Sequence, residues 1–347
     1  MADKLQQFEL QETFARLGFV TGSSLMTAVL GQARKAAEAS DITVLLEGET
    51  GTGKQVLARA IHELDRKRHS APFVTVHCST ISEALAESEL FGHQRGAFSG
   101  AVSDRKGLFQ AANHGTLLLD DVNDLPSYLQ PKLLDVVQRG VVRAVGSDRE
   151  TRVDVRIIAA CNQPLEPLVR EGRFRSDLYH RLNVVKLMLP PLRERSGDFA
   201  EVMLLLARRH STLYGPIESI DASLLALLAA RPFPGNIREL ENAVQRMLFV
   251  KTSGSSLSVA DWMSQPQAQV KNESAAADPY EEAANAMRKV IIQLGVPYAE
   301  AFQEIEKRVL EAAINTHGST RREIAKKLHT SERTLYYKMR SHGLSSS

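Results

Sequence analysis

The 347-residue chain has only two cysteines, Cys78 and Cys161, and one tryptophan, Trp262. Each cysteine falls inside an apparent strand, which excludes a disulfide framework and fits a reducing cytoplasm. No apolar run approaches the roughly 20 residues that a membrane-spanning helix needs. The opening residues, Met1-Ala2-Asp3-Lys4-Leu5-Gln6-Gln7-Phe8, are polar and lack a signal-peptide core, so no membrane partner is expected. Charge of one sign is not in excess: the formal net charge is +2. With 43% hydrophobic and 24% charged residues, the composition is that of a soluble globular chain of two domains, one of them small. The charge is unevenly spread. Between His317 and Ser347 seven Arg and Lys face two Glu, and a basic terminal module points to nucleic acid.

The most informative stretch is Ile42-Thr43-Val44-Leu45-Leu46 followed by Gly48-Glu49-Thr50-Gly51-Thr52-Gly53-Lys54. The first run is apolar and β-branched, as a buried strand requires. The three glycines let the backbone curl and turn its N–H groups inward, and helical spacing begins at Gln55. Strand, glycine loop, lysine and helix N-terminus form an anion cradle, with Lys54 placed for the β- and γ-phosphates of a nucleotide. Gln55 stands where most such loops place a magnesium-binding Ser or Thr.

Further along, residues 72–78 read as a second strand. Residues 115–121 read as a third, ending in Asp120 and Asp121. An acid at the end of a buried strand can hold Mg²⁺ beside a P-loop, and a second can orient an attacking water. Another strand, 153–162, ends in Asn162, whose amide suits a water or a γ-phosphate. Strands alternating with helices predict an α/β fold with a mostly parallel sheet and its ligand at the strand C-terminal ends. Gly96-Ala97-Phe98-Ser99-Gly100-Ala101 is a loop with small residues around one aromatic. Read from the residues alone, it is more readily an ordinary connection with Phe98 tucked inward than a contact tip. Arg175 and Arg181 sit close together in an Arg-rich segment, and Arg238 lies in the first turns of a helix after Pro234-Gly235-Asn236.

Residues 1–20 are expected to carry no regulatory domain. The α/β part then runs over about 21–190 and a helical lid over about 191–250. Residues 251–300 read as a linker, since 252–278 are rich in Ser, Gly, Gln and Ala without a core pattern; Trp262 is placed to pin its start. In 301–347, Phe302, Ile305, Val309 and Ala313 mark one helix face. Two short helices then flank a turn, the second carrying Arg333, Tyr336, Tyr337, Lys338 and Arg340. That pattern reads as a helix-turn-helix for the DNA major groove, with Arg321, Arg322, Ser331 and Thr334 as further contacts.

Taken together, these motifs resemble the bacterial enhancer-binding proteins, AAA+ activators of sigma-54 RNA polymerase, over about residues 20–250, with a Fis-type DNA-binding end at about 301–344. The resemblance implies that Gly96 to Ala101 is the family's GAFTGA loop, Ser replacing Thr, which contacts sigma-54. That reverses the inward reading of Phe98. It implies Gly48 to Lys54 as Walker A, Asp120 as the Walker B magnesium acid, Asn162 as sensor I and Arg238 as sensor II. Arg175 and Arg181 become arginine fingers acting in trans, which implies ATP, Mg²⁺ and a homo-oligomeric ring on enhancer DNA. Control by a regulatory protein in trans is then expected. Three positions depart from the family pattern. Gln55 replaces a common Glu, Asp121 stands where the catalytic Glu is found, and His77 stands where an Asn holds that Glu. The last two changes suggest a compensated His77–Asp121 pair and slow hydrolysis.

Overall fold

The computed structural model describes residues 2–80, 83–195, 197–211, 215–264, 297–317, 324–326, 328 and 330–344. Two compact units are present, Met1–Pro266 and Gln267–Ser347.

The large unit begins with helices α1 (Ala2–Arg16) and α2 (Ser24–Glu38), then strand β1 (Val44–Glu47) and α3 (Lys54–Glu63). Next come β2 (Phe73–His77), α4 (Glu83–Phe91), the short strands β3 (Gly92–His93) and β4 (Arg105–Lys106), and α5 (Leu108–Ala111). β5 (Thr116–Asp120) leads to α6 (Gln130–Arg139), the hairpin β6 (Val141–Arg143) and β7 (Glu150–Arg152), and β8 (Arg156–Cys161). Helices α7 (Leu165–Arg170) and α8 (Ser176–Leu182) precede β9 (Val185–Met188). The lid comprises α9 (Phe199–His210), β10 (Ser219–Ile220), α10 (Ala222–Ala229), α11 (Asn236–Val250), β11 (Ser256–Leu257) and α12 (Val259–Met263).

Five parallel strands form the central sheet in the order β2-β5-β8-β1-β9. Their residues alternate between two cores, as the period of two in a strand dictates. Leu45, Leu117, Leu119, Ile157 and Ala159 join the core under α4 to α8. Val44, Leu46, Leu118, Ile158 and Ala160 join the opposite one, with Met26 and Leu30 of α2 and Leu57 and Ile61 of α3. The sheet is therefore covered on both faces, and its ligand-binding side is left to the strand C-terminal ends. Helix α1, within the short segment 1–20 expected to carry no regulatory domain, packs Leu10 and Phe14 into the second core.

The lid has a core of its own, built on Met203, Leu206, Leu228, Val244 and Met247. It extends further than the sequence suggests. β11 pairs in parallel with β10, Leu257 is fully buried, and Trp262 packs against the same core with Arg231 over its ring at 5.3 Å. A linker starting at 251 is thus corrected: residues 251–264 are lid, and the rest of that segment up to 296 lies outside the described residues.

Arg156 opens β8, the middle strand, on the side remote from the ligand-binding ends, and with Asp65 it forms an ion pair of 2.6 Å with both side chains fully buried. Burial opposes the Asp65 charge, yet Ser40, the Lys67 N–H and Arg156 hold its carboxyl below the usual value. Asp65→Ala strands the Arg156 cation in the core, and a loss of about 3–5 kcal/mol is expected in equilibrium urea unfolding. A loss below about 1 kcal/mol contradicts this reading of the pair.

In the small unit, α13 (Tyr298–His317) and α14 (Glu332–Ser341) pack around Leu310, Ile324, Ala325, Leu335 and Met339. Leu335 and Met339, four apart, give α14 its inward stripe.

Candidate functional site: a nucleotide cleft under the lid

β1 ends at Glu47, and residues 48–53 turn sharply into α3. Gly51 (φ +79°) and Gly53 (φ +100°) occupy the left-handed region, and a Cβ on Gly51 would stand 2.2 Å from the Gly235 carbonyl oxygen. Only glycine meets both demands. Lys54, first residue of α3, is buried, and its Nζ donates to the carbonyls of Gly48 (2.6 Å) and Glu49 (3.0 Å). Burial pulls its pKa down, against the opposing pull of Asp120 and Asp121.

The loop opens into a cleft. Thr50, Gly51, Gly53, Lys54, Gln55, Asp120, Asp121 and Arg238 line it, with Arg209 and Glu241. Phe19, Val20, Val56, Val202, Leu206 and Ile237 form its apolar part. A lining that joins charged groups on a phosphate loop to apolar side chains suits a nucleotide.

Asp120 ends β5 with its carboxylate buried. Its Oδ2 accepts from Gln55 Nε2 at 2.6 Å and lies 3.2 Å from His77 Nδ1, its cross-strand neighbour on β2. The expected His77–Asp121 pair is thereby corrected: in-register pairing of β2 with β5 brings His77 to Asp120. Asp121 has a left-handed backbone (φ +52°), and its Oδ1 accepts from Asn162 Nδ2 at 3.3 Å. Burial, reinforced by the adjacent Asp120, pushes its pKa up. Asn162 follows directly on β8, so the acid read as orienting a water and the amide read as suiting a water or a γ-phosphate meet across neighbouring strands.

Not every predicted residue faces the cleft. The Glu49 carboxylate turns outward, where Arg193 grips it with both terminal nitrogens (2.8 and 2.7 Å) and Asn236 Nδ2 adds a third bond at 3.1 Å. These partners lower its pKa to about 2. The folded value lies below the unfolded one, so this clamp contributes its full stability above the ordinary carboxylate range. Its contribution is lost as pH falls from about 4.5 toward 2. Glu49→Gln is expected to remove that part of the acid destabilisation between those limits, as read from urea midpoints at successive pH. Thr52 is buried and closes the loop onto the Glu49 carbonyl (2.9 Å). Arg175 and Arg181 are exposed and stand outside the cleft lining, Arg175 held by Asp177 at 3.0 and 2.8 Å.

Sequence reasoning missed Asn236. It is fully buried with φ +53°, and it bonds Glu49, the Thr50 carbonyl (3.0 Å) and, through Oδ1, the Leu192 N–H (2.8 Å). The Pro-Gly-Asn turn was its only local signal.

Gly96 to Ala101 cap a short antiparallel ribbon, β3 with β4, closed by Gly96 N–H to the Ala101 carbonyl at 2.8 Å. Gly96 and Gly100 are left-handed with open space around them. Phe98 is 37% exposed, its ring edge-on to His93 at 5.0 Å, while Ser99 is exposed and Ala101 is buried. Ala97 lies against Gly146, beyond the β6 strand.

In the small unit Ser331 caps α14, accepting the Thr334 N–H at 3.0 Å. Arg333, Tyr336, Tyr337, Lys338 and Arg340 are exposed on that helix, and Lys338 is paired with Glu306. Arg321 and Arg322 lie outside the described residues. The face marked by Phe302, Ile305 and Val309 is substantially exposed, whereas the core of this unit takes Leu310. No helix among the described residues is long and apolar enough to cross a membrane.

A P-loop at the end of a central parallel strand, acids at the end of the strand two places away and a helical lid closing the cleft together define a nucleotide-binding AAA+ domain. Three family models match the chain in series: the sigma-54 interaction domain at 19–188, the AAA+ ATPase lid domain at 193–279, and the Fis-family bacterial regulatory protein at 301–342. Regulatory protein AtoC of Escherichia coli (strain K12) is 39% identical over 94% of this chain and 68% of its own length. Transcriptional regulatory protein GlrR of the same strain is 44% identical over 69% of this chain and 53% of its own, and a Nif-specific regulatory protein of Klebsiella pneumoniae is 48% identical over 62% and 41%. Among solved structures, NtrX from Brucella abortus in complex with ATP superposes with a TM-score of 0.64 at 29% identity, covering 94% of this chain and 69% of that one. The chain belongs to the sigma-54-dependent family of transcriptional activators. It spans from 41% to 68% of the length of the three curated relatives named.

Proposed function

We propose that this chain binds enhancer DNA and, as a homo-oligomeric ring, couples ATP hydrolysis to remodelling of the sigma-54 RNA polymerase promoter complex. The cleft carries the reading, since it joins Lys54, Asp120, Asp121 and Arg238 to apolar side chains. Lys54 and the loop N–H groups hold the β- and γ-phosphates. Asp121, in contact with Asn162, orients the attacking water and takes its proton; burial and the adjacent Asp120 raise its pKa, which makes the carboxylate a stronger base. Asp120, with its oxygens at the cleft wall, suits Mg²⁺, which when bound to the nucleotide neutralises phosphate charge. Arg238 meets the γ-phosphate from the lid. Arg175 and Arg181 stand outside the cleft lining and so serve a neighbour's nucleotide.

The loop from Gly96 to Ala101 is the sigma-54 contact, with Phe98 and Ser99 at its tip. Phe98→Ala is expected to abolish transcription from a sigma-54 promoter while ATP turnover stays within about twofold, because the loop touches neither the cleft nor the acids. Equal loss of both activities overturns that assignment. The exposed face of α14 reads DNA, and the apolar face of α13 offers a second copy a pairing surface. A controlling partner acts in trans.

A second reading has an observation behind it. Asp121 is one methylene shorter than the family's Glu, and His77 is spent on Asp120. A chain that binds ATP to oligomerise, with little hydrolysis, fits those two positions.

A further inference from the structure

The lid grips the outer side of the phosphate loop at four successive residues. Glu49 is held by Arg193 and Asn236, the Thr50 carbonyl by Asn236 Nδ2 at 3.0 Å, the Gly51 carbonyl by the Ile237 N–H at 2.9 Å, and the Thr52 carbonyl by Arg195 Nη2 at 3.0 Å. Carbonyls drawn outward at 50, 51 and 52 leave the opposite side of those peptides to the cleft. A peptide flip at 50, 51 or 52 breaks a bond to the lid. Asn236 is the centre of this grip. Its left-handed backbone is a strain that persists only where the surroundings over-determine it, and its side chain is completely buried. The lid also holds the apolar part: Asp198 Oδ1 accepts from Thr21 Oγ1 (2.6 Å), Gly22 N–H (2.8 Å) and Ser23 N–H (2.7 Å), just after Phe19 and Val20.

We infer that Asn236, with Glu49 and Arg193, forms a positioning latch through which lid docking and phosphate-loop geometry are a single equilibrium. This rests on the nucleotide reading of the cleft. Arg238 then senses the nucleotide from inside while the latch transmits its presence from outside. Linkage makes the effect reciprocal: whatever factor the docked lid adds to nucleotide affinity, bound nucleotide adds to lid docking.

Nucleotide titration and hydrogen exchange on the full chain test this, with ATP and ADP as probes. In the parent, either nucleotide slows exchange at the Leu192 and Ile237 amides, which donate within the latch. Asn236→Gly keeps the positive φ but loses every side-chain bond to Glu49, the Thr50 carbonyl and the Leu192 N–H. It is expected to bind ATP about tenfold or more weakly and to lose the nucleotide-dependent slowing at Ile237, with its melting transition retained. Should that variant not fold, Arg193→Met, at a half-exposed pair, carries the test, with a drop of about fivefold and a partial loss of slowing. Unchanged affinity and unchanged slowing in whichever variant folds overturn the latch. So does a loss of affinity with Ile237 exchange still slowed by nucleotide, which marks a merely structural role. A parent chain that binds neither nucleotide overturns the nucleotide reading, and the latch with it.

Discussion

Lys54→Ala is expected to weaken ATP binding by on the order of 10²- to 10³-fold, from the loss of charged hydrogen bonds to phosphate at roughly 1.5–3 kcal/mol each. The ammonium lies at the floor of the cleft on the carbonyls of Gly48 and Glu49, held within the loop rather than reaching into solvent. Its burial already opposes the charged form. Removing it relieves that cost, so the fold is expected to be no less stable than the parent in thermal melts. Affinity within about threefold of the parent contradicts the cradle. A lower melting temperature together with lost binding contradicts the account of Lys54 as a ligand-directed charge.

Arg175→Ala is expected to lower ATP turnover by on the order of 10³-fold, the scale of an arginine finger, while leaving ATP affinity intact. Arg181→Ala is expected to behave alike. Arg175 is exposed and its ion pair with Asp177 is a surface one, so the melting transition is expected to stay that of the parent. A finger that serves a neighbour's cleft, as proposed, makes turnover per protomer in the parent rise with protein concentration, and that rise is the expected result. Mixing Arg175→Ala chains with Lys54→Ala chains restores part of the activity, since some interfaces then pair an intact cleft with an intact finger. No recovery on mixing, with each variant folded, contradicts action in trans.

How much of this was legible in the sequence follows from how local each signal is. The β1–loop–α3 unit could be read because strand alternation, glycines at fixed offsets and a lysine are neighbours along the chain. Asp120 and Asn162 could be read because each ends an apolar strand. The latch could not: Asn236 and Glu49 are 187 residues apart, and nothing near Glu49 distinguishes a carboxylate that faces phosphate from one that faces an arginine. The partner of His77 is set by strand register, which the sequence does not display, so Asp120 rather than Asp121 receives it. Helix α1 escaped notice because its apolar residues are few, although Leu10 and Phe14 are enough to dock it. Polar composition after 250 suggested a linker, yet two residues of β11 and Trp262 suffice to hold that segment on the lid. On α13 the apolar spacing marks one face but not which way it turns: Phe302, Ile305 and Val309 are exposed, while Leu310 lies in the core with Ala313 packed against it.

The central claim is that nucleotide chemistry in this cleft drives sigma-54 transcription, and its most direct test is transcription in vitro from a sigma-54 promoter carrying the chain's binding site. Transcripts are expected with sigma-54 polymerase and ATP. None are expected with a non-hydrolysable ATP analogue, and polymerase carrying another sigma factor gains nothing from the chain. Equal transcription with ATP and with the analogue, or stimulation of the other polymerase alone, contradicts the claim and favours the regulator that binds ATP without spending it.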